Sequence, residues 1–187
     1  MASINQVPEV LNDFRVYEEG SDNCLGVAKV ELPSESVMTQ TVKGVGIAGE
    51  VEAPVIGHYS SMETKLTWNT PTETTHRLTG GRGVRLEVRG AIQCWDSGKD
   101  KYVIVPTRAV IRGRAKSKEN GTYESGNTID ATNTIETTYL KLEQDGKVVR
   151  EIDKYAYKDS ISDGTDFLGD VRAALGIESV ERTITNE

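Results

Sequence analysis

The stretch VRLEVRGAIQCW (Val84 to Trp95) sets apolar Val84, Leu86, Val88, Ile92 and Cys94 between polar Arg85, Glu87, Arg89 and Gln93. Successive side chains of an extended chain point to opposite sides, so this period of two marks a strand with one face buried and one in water. SMETKLTW repeats it, with Met62, Thr64, Leu66 and Trp68 on one side and Glu63, Lys65 and Thr67 on the other. Tyr102 to Ala115 is dense in β-branched residues, and Pro106, which has no N–H to give to a ladder, places its first part at an edge or a bulge. NTIETTYLKLE and KVVREIDKYAY flank Asp145-Gly146, a pair suited to the positive φ angles of a tight hairpin turn. Two more strands are expected at Phe14 to Glu18 and Gly26 to Leu32.

One segment has another period. In GTDFLGDVRAALGI, Phe167, Leu168, Val171 and Leu175 recur at helical spacing. Thr165 is placed to cap the first turn, Asp166 suits the positive helix end, and Gly176 follows as the residue after the C-cap. The expectation is one amphipathic helix over about residues 166 to 175, covering an open end or face of the sheet, with a polar tail at 178 to 187. At 187 residues the chain suits one core. It reads as a single domain over 1–187: a mainly β, antiparallel sandwich or barrel with one helix.

Gly44, Gly46 and Gly49 have the G-x-G-x-x-G spacing of a dinucleotide loop. That loop works only where a helix opens after it, and EVEAPVIGHYSS, with Pro54, Gly57 and β-branched residues, opposes a helix. The glycines are therefore read as part of a long loop, about 43 to 60. It carries apolar Val45, Ile47, Val51, Val55 and Ile56 outward and orders by docking on a neighbour. His58 and His76 have no metal-ligand spacing. Cys24 and Cys94 form no C-x-x-C pair and are read as reduced core residues. No nucleophile elbow or phosphate loop is present, so no catalytic, cofactor or metal residue is assigned. Asn120-Gly121-Thr122 matches a glycosylation acceptor but reads as polar loop, and Arg82 in TGGRG sits in a turn.

A net charge of -7 argues against strong attraction to nucleic acid or anionic membrane. No run reaches the about 20 apolar residues of a membrane-spanning helix, and MASINQVPEV lacks the basic flank and apolar stretch of a secretory signal. Met1 to Glu63 holds three basic and ten acidic residues, and Val84 to Lys116 eight basic and three acidic. This asymmetry suits either opposite potentials on two faces of a head-to-tail assembly or two solvated strand faces.

Against this background RGRAKSKENGTYESGNTIDATNTIETTYLKLEQDGKVVREID, Arg112 to Asp153, resembles the major tail tube protein family of contractile-tailed phages. The shared order is an R-G-R strand end, a long polar loop containing glycine, a T-x-Y-x-x-L strand, a D-G turn and a strand ending E-I-D. NDFRVYEEGSDNCLGVAKVELP looks like the family's opening hairpin, GVGIAGEVEAPVIGHYSSMETKLTW like its loop and returning strand, and DGTDFLGDVRAALGI like its terminal helix. Thr70 to Gly83 maps onto nothing recognisable.

The resemblance implies a structural protein and not an enzyme. Six subunits would close into a ring around a continuous β-barrel, and rings would stack into a tube inside the sheath, assembled in the host cytoplasm and resident in the virion tail. The lumen would house the tape measure protein and pass DNA without specific binding. Sheath, baseplate and tail-terminator proteins would be the other partners, with no membrane involved. Lys43, Gly44, Val45, Gly46, Ile47, Gly49, Val51, Val55 and Ile56 would bridge rings, and Arg112, Arg114, Tyr139, Leu140 and Ile152 would take part in strand pairing within a ring. The tube of a DNA-free contractile bacteriocin or secretion-like system shares the likeness and stays open as an alternative. From another class, a stand-alone β-sandwich module could stack sugars on Trp95 and tyrosines, although Trp68 falls on an apolar strand face.

Overall fold

The structure, a computed structural model, describes residues 6–20, 24–44 and 46–177; Val45 and the expected tail at 178–187 lie outside them. The strands are β1 (Gln6–Glu18), β2 (Lys29–Glu31), β3 (Val37–Lys43), β4 (Glu50–Tyr59), β5 (Glu63–Trp68), β6 (Gly83–Asp96), β7 (Lys101–Glu119), β8 (Ala131–Gln144), β9 (Lys147–Asp153) and β10 (Lys158–Ile161). Two short helices, α1 (Glu73–Arg77) and α2 (Gly169–Ala174), complete the described elements.

The alternation of period two is realised where it was read. Met62, just before β5, and Thr64, Leu66 and Trp68 within it are buried, as are Val84, Leu86 and Cys94 of β6. One antiparallel sheet of eight strands runs β1-β6-β7-β8-β5-β2 and forks at β8. The first half of β8, Ala131 to Glu136, pairs with β5. Its second half, Tyr139 to Gln144, pairs with β9, which carries β10. The fork needs β7 and β8 to approach closely, and the pairing slips at Arg112/Gly113. There a Cβ on Gly113 would fall on the Glu136 carbonyl oxygen. The middle residue of the R-G-R motif is thus the one side chain small enough for the branch point.

Branches and trunk enclose one core of Trp68, Leu66, Met62, Leu86, Ile111, Ile135, Leu140 and Ile152, joined by Val16 from β1. The ends of the strand order are drawn together by Cys24 to Glu31. Leu25 N–H donates to Val16 O (2.8 Å), Ala28 N–H to Thr67 O (2.9 Å), and β2 pairs with β5. Polar groups inside the core are matched at its centre: Trp68 Nε1 donates to Asn133 Oδ1 (3.0 Å), and Asn133 Nδ2 donates to the carbonyls of Thr75 and Leu78. Asn133 therefore ties the end of α1 to the core, and the unmapped Thr70 to Gly83 segment proves to be a cap with Thr75 and Leu78 buried.

Four expectations need correcting. The loop at 43 to 60 is mostly strand: β3 and β4 form a separate two-stranded sheet joined by a short turn, because the β-branched residues on either side of the glycines find partners across the hairpin. The terminal helix is six residues long, with none of its own residues buried. Leu168, and not Thr165, is its N-cap; Asp166 Oδ1 accepts from Leu168 N–H (3.1 Å) and Oδ2 pairs with Arg172. Gly176 does follow the C-cap, with Ile177 N–H closing onto Arg172 O. Cys94 is buried but Cys24 is exposed, both with free thiols. Finally, part of the charge asymmetry closes within the chain, where Arg112–Glu19 and Lys116–Glu63 join the basic segment to the acidic one, and Arg77–Glu18 and Arg150–Glu35 pair further acidic residues of that segment.

Candidate assembly interface

Three surfaces of the described chain are unfinished. The first is the arm formed by β3 and β4. Val42 faces Val51 and Gln40 faces Ala53 across the hairpin, and alternation puts Val55 on the same side. Thr39, Thr41, Lys43, Glu50 and Glu52 occupy the other side, with Lys43 and Glu50 paired at 2.9 Å. The apolar side is bare: Val42 is 40% exposed, Val51 51% and Val55 37%. A two-stranded hairpin alone is marginally stable in water, so an arm with an uncovered apolar face is complete only against another surface. Gly44, Gly46 and Gly49 form its tip, all at positive φ. Gly49 is followed by β4 and not by a helix, so the G-x-G-x-x-G spacing serves a turn and offers no helix N-terminus to a phosphate.

The second surface is the end of the sheet where β1, β6 and β7 run on past β8. Pairing of β7 with β8 begins at Thr107, and Asp145 N–H donates to Pro106 O (2.9 Å), so among the described residues Lys101 to Val105 pairs only with β6. This is the edge that Pro106 marked in the sequence. On the far side, among the described residues, the outer edge of β1 meets the chain only at the bridge of Tyr17 to Cys24 and the neighbouring Leu25–Val16 bond. Among the described residues the three-stranded section thus has two open edges, each a row of N–H and C=O groups without a strand partner. Its faces carry exposed Val7, Val10, Leu11, Tyr102 and Ile104, with Trp95 set edge-on to Tyr102 at 5.0 Å between ring centroids. The third surface is a groove of about 340 Å³ on the core-side face beyond the core, lined by Leu11, Phe14, Val88, Ala109, Leu142 and Leu32.

The residues expected to join strands between subunits are used inside the chain. Arg112 pairs with Arg85 and Tyr139, Arg114 with Gly83 and Glu136, and Leu140 with Ile111 and Ile152. Tyr139 also pairs with Asp153, and Ile152 with Asp159. Central strands have no free edge, so these five positions offer no backbone for strand pairing with a neighbour. Their side chains hold the fold instead: Leu140 and Ile152 are buried. The Arg112 guanidinium lies 4.8 Å from the Tyr139 ring and binds Glu19. Burial, then the hydrogen bond to Glu151, raises the Tyr139 hydroxyl well above the usual phenol range.

Two features had no sequence signal because their partners are distant in the chain. Glu87 stands on the polar side of β6 yet is 3% exposed. It accepts from Arg108 Nη2 (2.8 Å) and Arg89 Nε (2.5 Å). The Arg108 bond, against the opposing cost of burial, holds its carboxyl below the usual range. Arg150 is the second, gathering Glu35, Tyr59 and Asp159. Among the described residues no cluster of His, Cys, Asp or Glu could hold a metal ion, and no helix is long and apolar enough to cross a membrane.

Fold and surface together define a class of protein: a mainly β chain of antiparallel sheets whose edges, arm and groove are left uncovered among the described residues. The family model for phage tail tube protein FII matches residues 8–176. The tail tube protein of Escherichia phage P2, a contractile-tailed phage, is 28% identical over 178 residues, which cover 91% of this chain and 99% of that protein. The chain belongs to the phage tail tube protein FII family, and the likeness first carried by Arg112 to Asp153 extends through nearly all of it. That family is one of structural tail tube proteins.

Proposed function

We propose that six copies of this chain, each a single domain over 1–187, close into a ring, and that rings stack into the hollow tube of a contractile phage tail. The observation that carries this reading is the pair of open edges on one three-stranded section. Pairing the β1 edge of one copy with Lys101 to Val105 of the next extends the sheet from subunit to subunit, and such a head-to-tail contact ends only by closing on itself. The arm supplies the contact that does not close: its apolar face, with Ile47 at the tip, docks on the next ring and propagates a filament.

The tube then houses the tape measure protein during assembly in the host cytoplasm and afterwards passes DNA. A wall that held DNA at many phosphates would stall ejection, and a chain of net charge -7 in which Arg77, Arg89, Arg108, Arg112, Arg150 and Arg172 are ion-paired is suited to avoid this. Sheath, baseplate and terminator proteins meet its outer wall and its two ends. The likeness to a phage tail tube protein favours this reading over a DNA-free injection system.

The test is negative-stain microscopy with native mass spectrometry of the purified chain. Six-fold rings or tubes with an open bore are expected; monomers or compact dimers at every concentration would refute the proposal.

A further inference from the structure

We infer that Arg150 is the positioning residue of the arm, fixing the direction in which the arm leaves its subunit and so making it competent to engage a second copy. This rests on the reading of the arm as the contact between copies. Arg150 lies on β9, opposite Leu142 of β8 and Ile161 of β10, with its side chain 14% exposed. From there its guanidinium reaches both roots of the arm. Nε donates to Glu35 Oε2 (2.8 Å), just before β3, and Nη2 to the hydroxyl of Tyr59 (2.7 Å), the last residue of β4. Nη1 binds the buried Asp159 carboxylate and the Ser160 carbonyl of β10, and the Tyr59 hydroxyl donates to the other Asp159 oxygen (2.7 Å).

The arm needs such a fastening. Its strands pair only with each other, so its direction depends on what fixes its two roots. A planar guanidinium with its donors in a rigid fork defines relative position and not mere proximity. Two further ties converge on the same place. Lys154 Nζ donates to Ser60 O (3.0 Å), and Ser60 N–H to Ser36 O (2.9 Å). Gly57, at φ +71°, kinks β4 so that the buried Leu168 side chain fills the space a Cβ would occupy. Buried ionic groups add little net stability compared with apolar packing, and their best-attested use is to specify one arrangement over others. An arm held in one direction also loses less freedom on docking than one that swings.

The experiment compares full-length wild type with Glu35→Gln/Tyr59→Phe, which keeps the Arg150–Asp159 pair, with Arg150→Lys, which keeps the charge but loses the fork, and with Val42→Asp/Val51→Asp on the arm face. Spin labels at Ala48→Cys and Lys147→Cys, in a Cys24→Ser background, report arm direction in dilute subunits, melting reports the fold, and microscopy counts tubes. For both clamp variants the inference expects an unchanged melt, a broadened distance distribution and about tenfold fewer tubes, the effect of losing pre-organisation. A narrow distribution, normal tube formation or global unfolding in both clamp variants would overturn it. The arm-face variant separates the two ideas. If it blocks tubes while the clamp variants elongate normally, only the role of Arg150 falls; if it assembles like wild type, the reading of the arm itself fails.

Discussion

The β7–β8 fork and the β3–β4 arm are built from the same strand alphabet and end in opposite states. At the fork Ile111, Ile135 and Leu140 are buried, the Thr64 and Thr137 hydroxyls bond each other, and Asn133 bonds the Trp68 indole and the carbonyls of Thr75 and Leu78. In the arm every residue of β3 is exposed. Local alternation makes a strand, but only a second layer makes it stable. A chain that keeps an apolar-faced hairpin and two open edges without that layer fits the proposal that its remaining layer lies on another copy.

The contrast predicts effects that separate cleanly between fold and assembly. The largest belongs to Gly113→Ala, whose methyl group would meet the Glu136 backbone at the fork. Backbone cannot step aside as a side chain can, so the loss should exceed about 4 kcal/mol or abolish folding, measured by denaturant titration. A cost under about 1 kcal/mol would show that the fork is looser than described. Asn133→Ala comes next, at about 3 kcal/mol, since it strands the indole N–H of Trp68 and two carbonyls of α1 and its cap. It should soften α1 while leaving the arm unchanged in hydrogen exchange.

Acidity gives a smaller effect confined to the body. The Glu87 carboxyl is held below its usual range, so its ionised form stabilises the fold at and above the ordinary carboxylate pKa of about 4.3, and this is lost as pH falls through the folded value. Below about pH 4.3 wild type should therefore lose stability more steeply than Glu87→Gln; parallel curves would remove the ion pairs from the account. The smallest effect on folding belongs to the arm. Val42→Asp/Val51→Asp should change subunit stability by less than about 0.5 kcal/mol, because neither side chain is covered, while tube formation fails.

How far the sequence could be read follows the same division. Met62 to Trp68, the Val84 to Trp95 alternation, the Asp145-Gly146 hairpin and the edge at Pro106 were legible because each is decided by neighbours a few residues away. The family likeness also lay in such local order, in R-G-R, T-x-Y-x-x-L and E-I-D. What escaped was set by contacts distant in the chain. Glu87 reads as a solvated strand residue until Arg108 covers it. Glu35 and Tyr59 have no visible relation until Arg150 joins them. Thr70 to Gly83 has neither period, and becomes a cap only when Asn133 receives it. The arm was mistaken for a loop because glycines and Pro54 outweighed the β-branched residues beside them. Arg112, Arg114, Tyr139, Leu140 and Ile152 stood out in the sequence, but they belong to the inside of the sheet and not to its margin.

Amide hydrogen exchange compared between dilute subunits and assembled tubes tests the central claim most directly. Protection should rise on assembly along the outer edge of β1 from Gln6 to Asp13, along Lys101 to Val105 and across the β3–β4 arm. It should stay high and unchanged at Arg112 to Arg114 and Tyr139 to Ile152. Tubes in which the two sheet edges and the arm exchange as fast as in the free subunit would contradict the account.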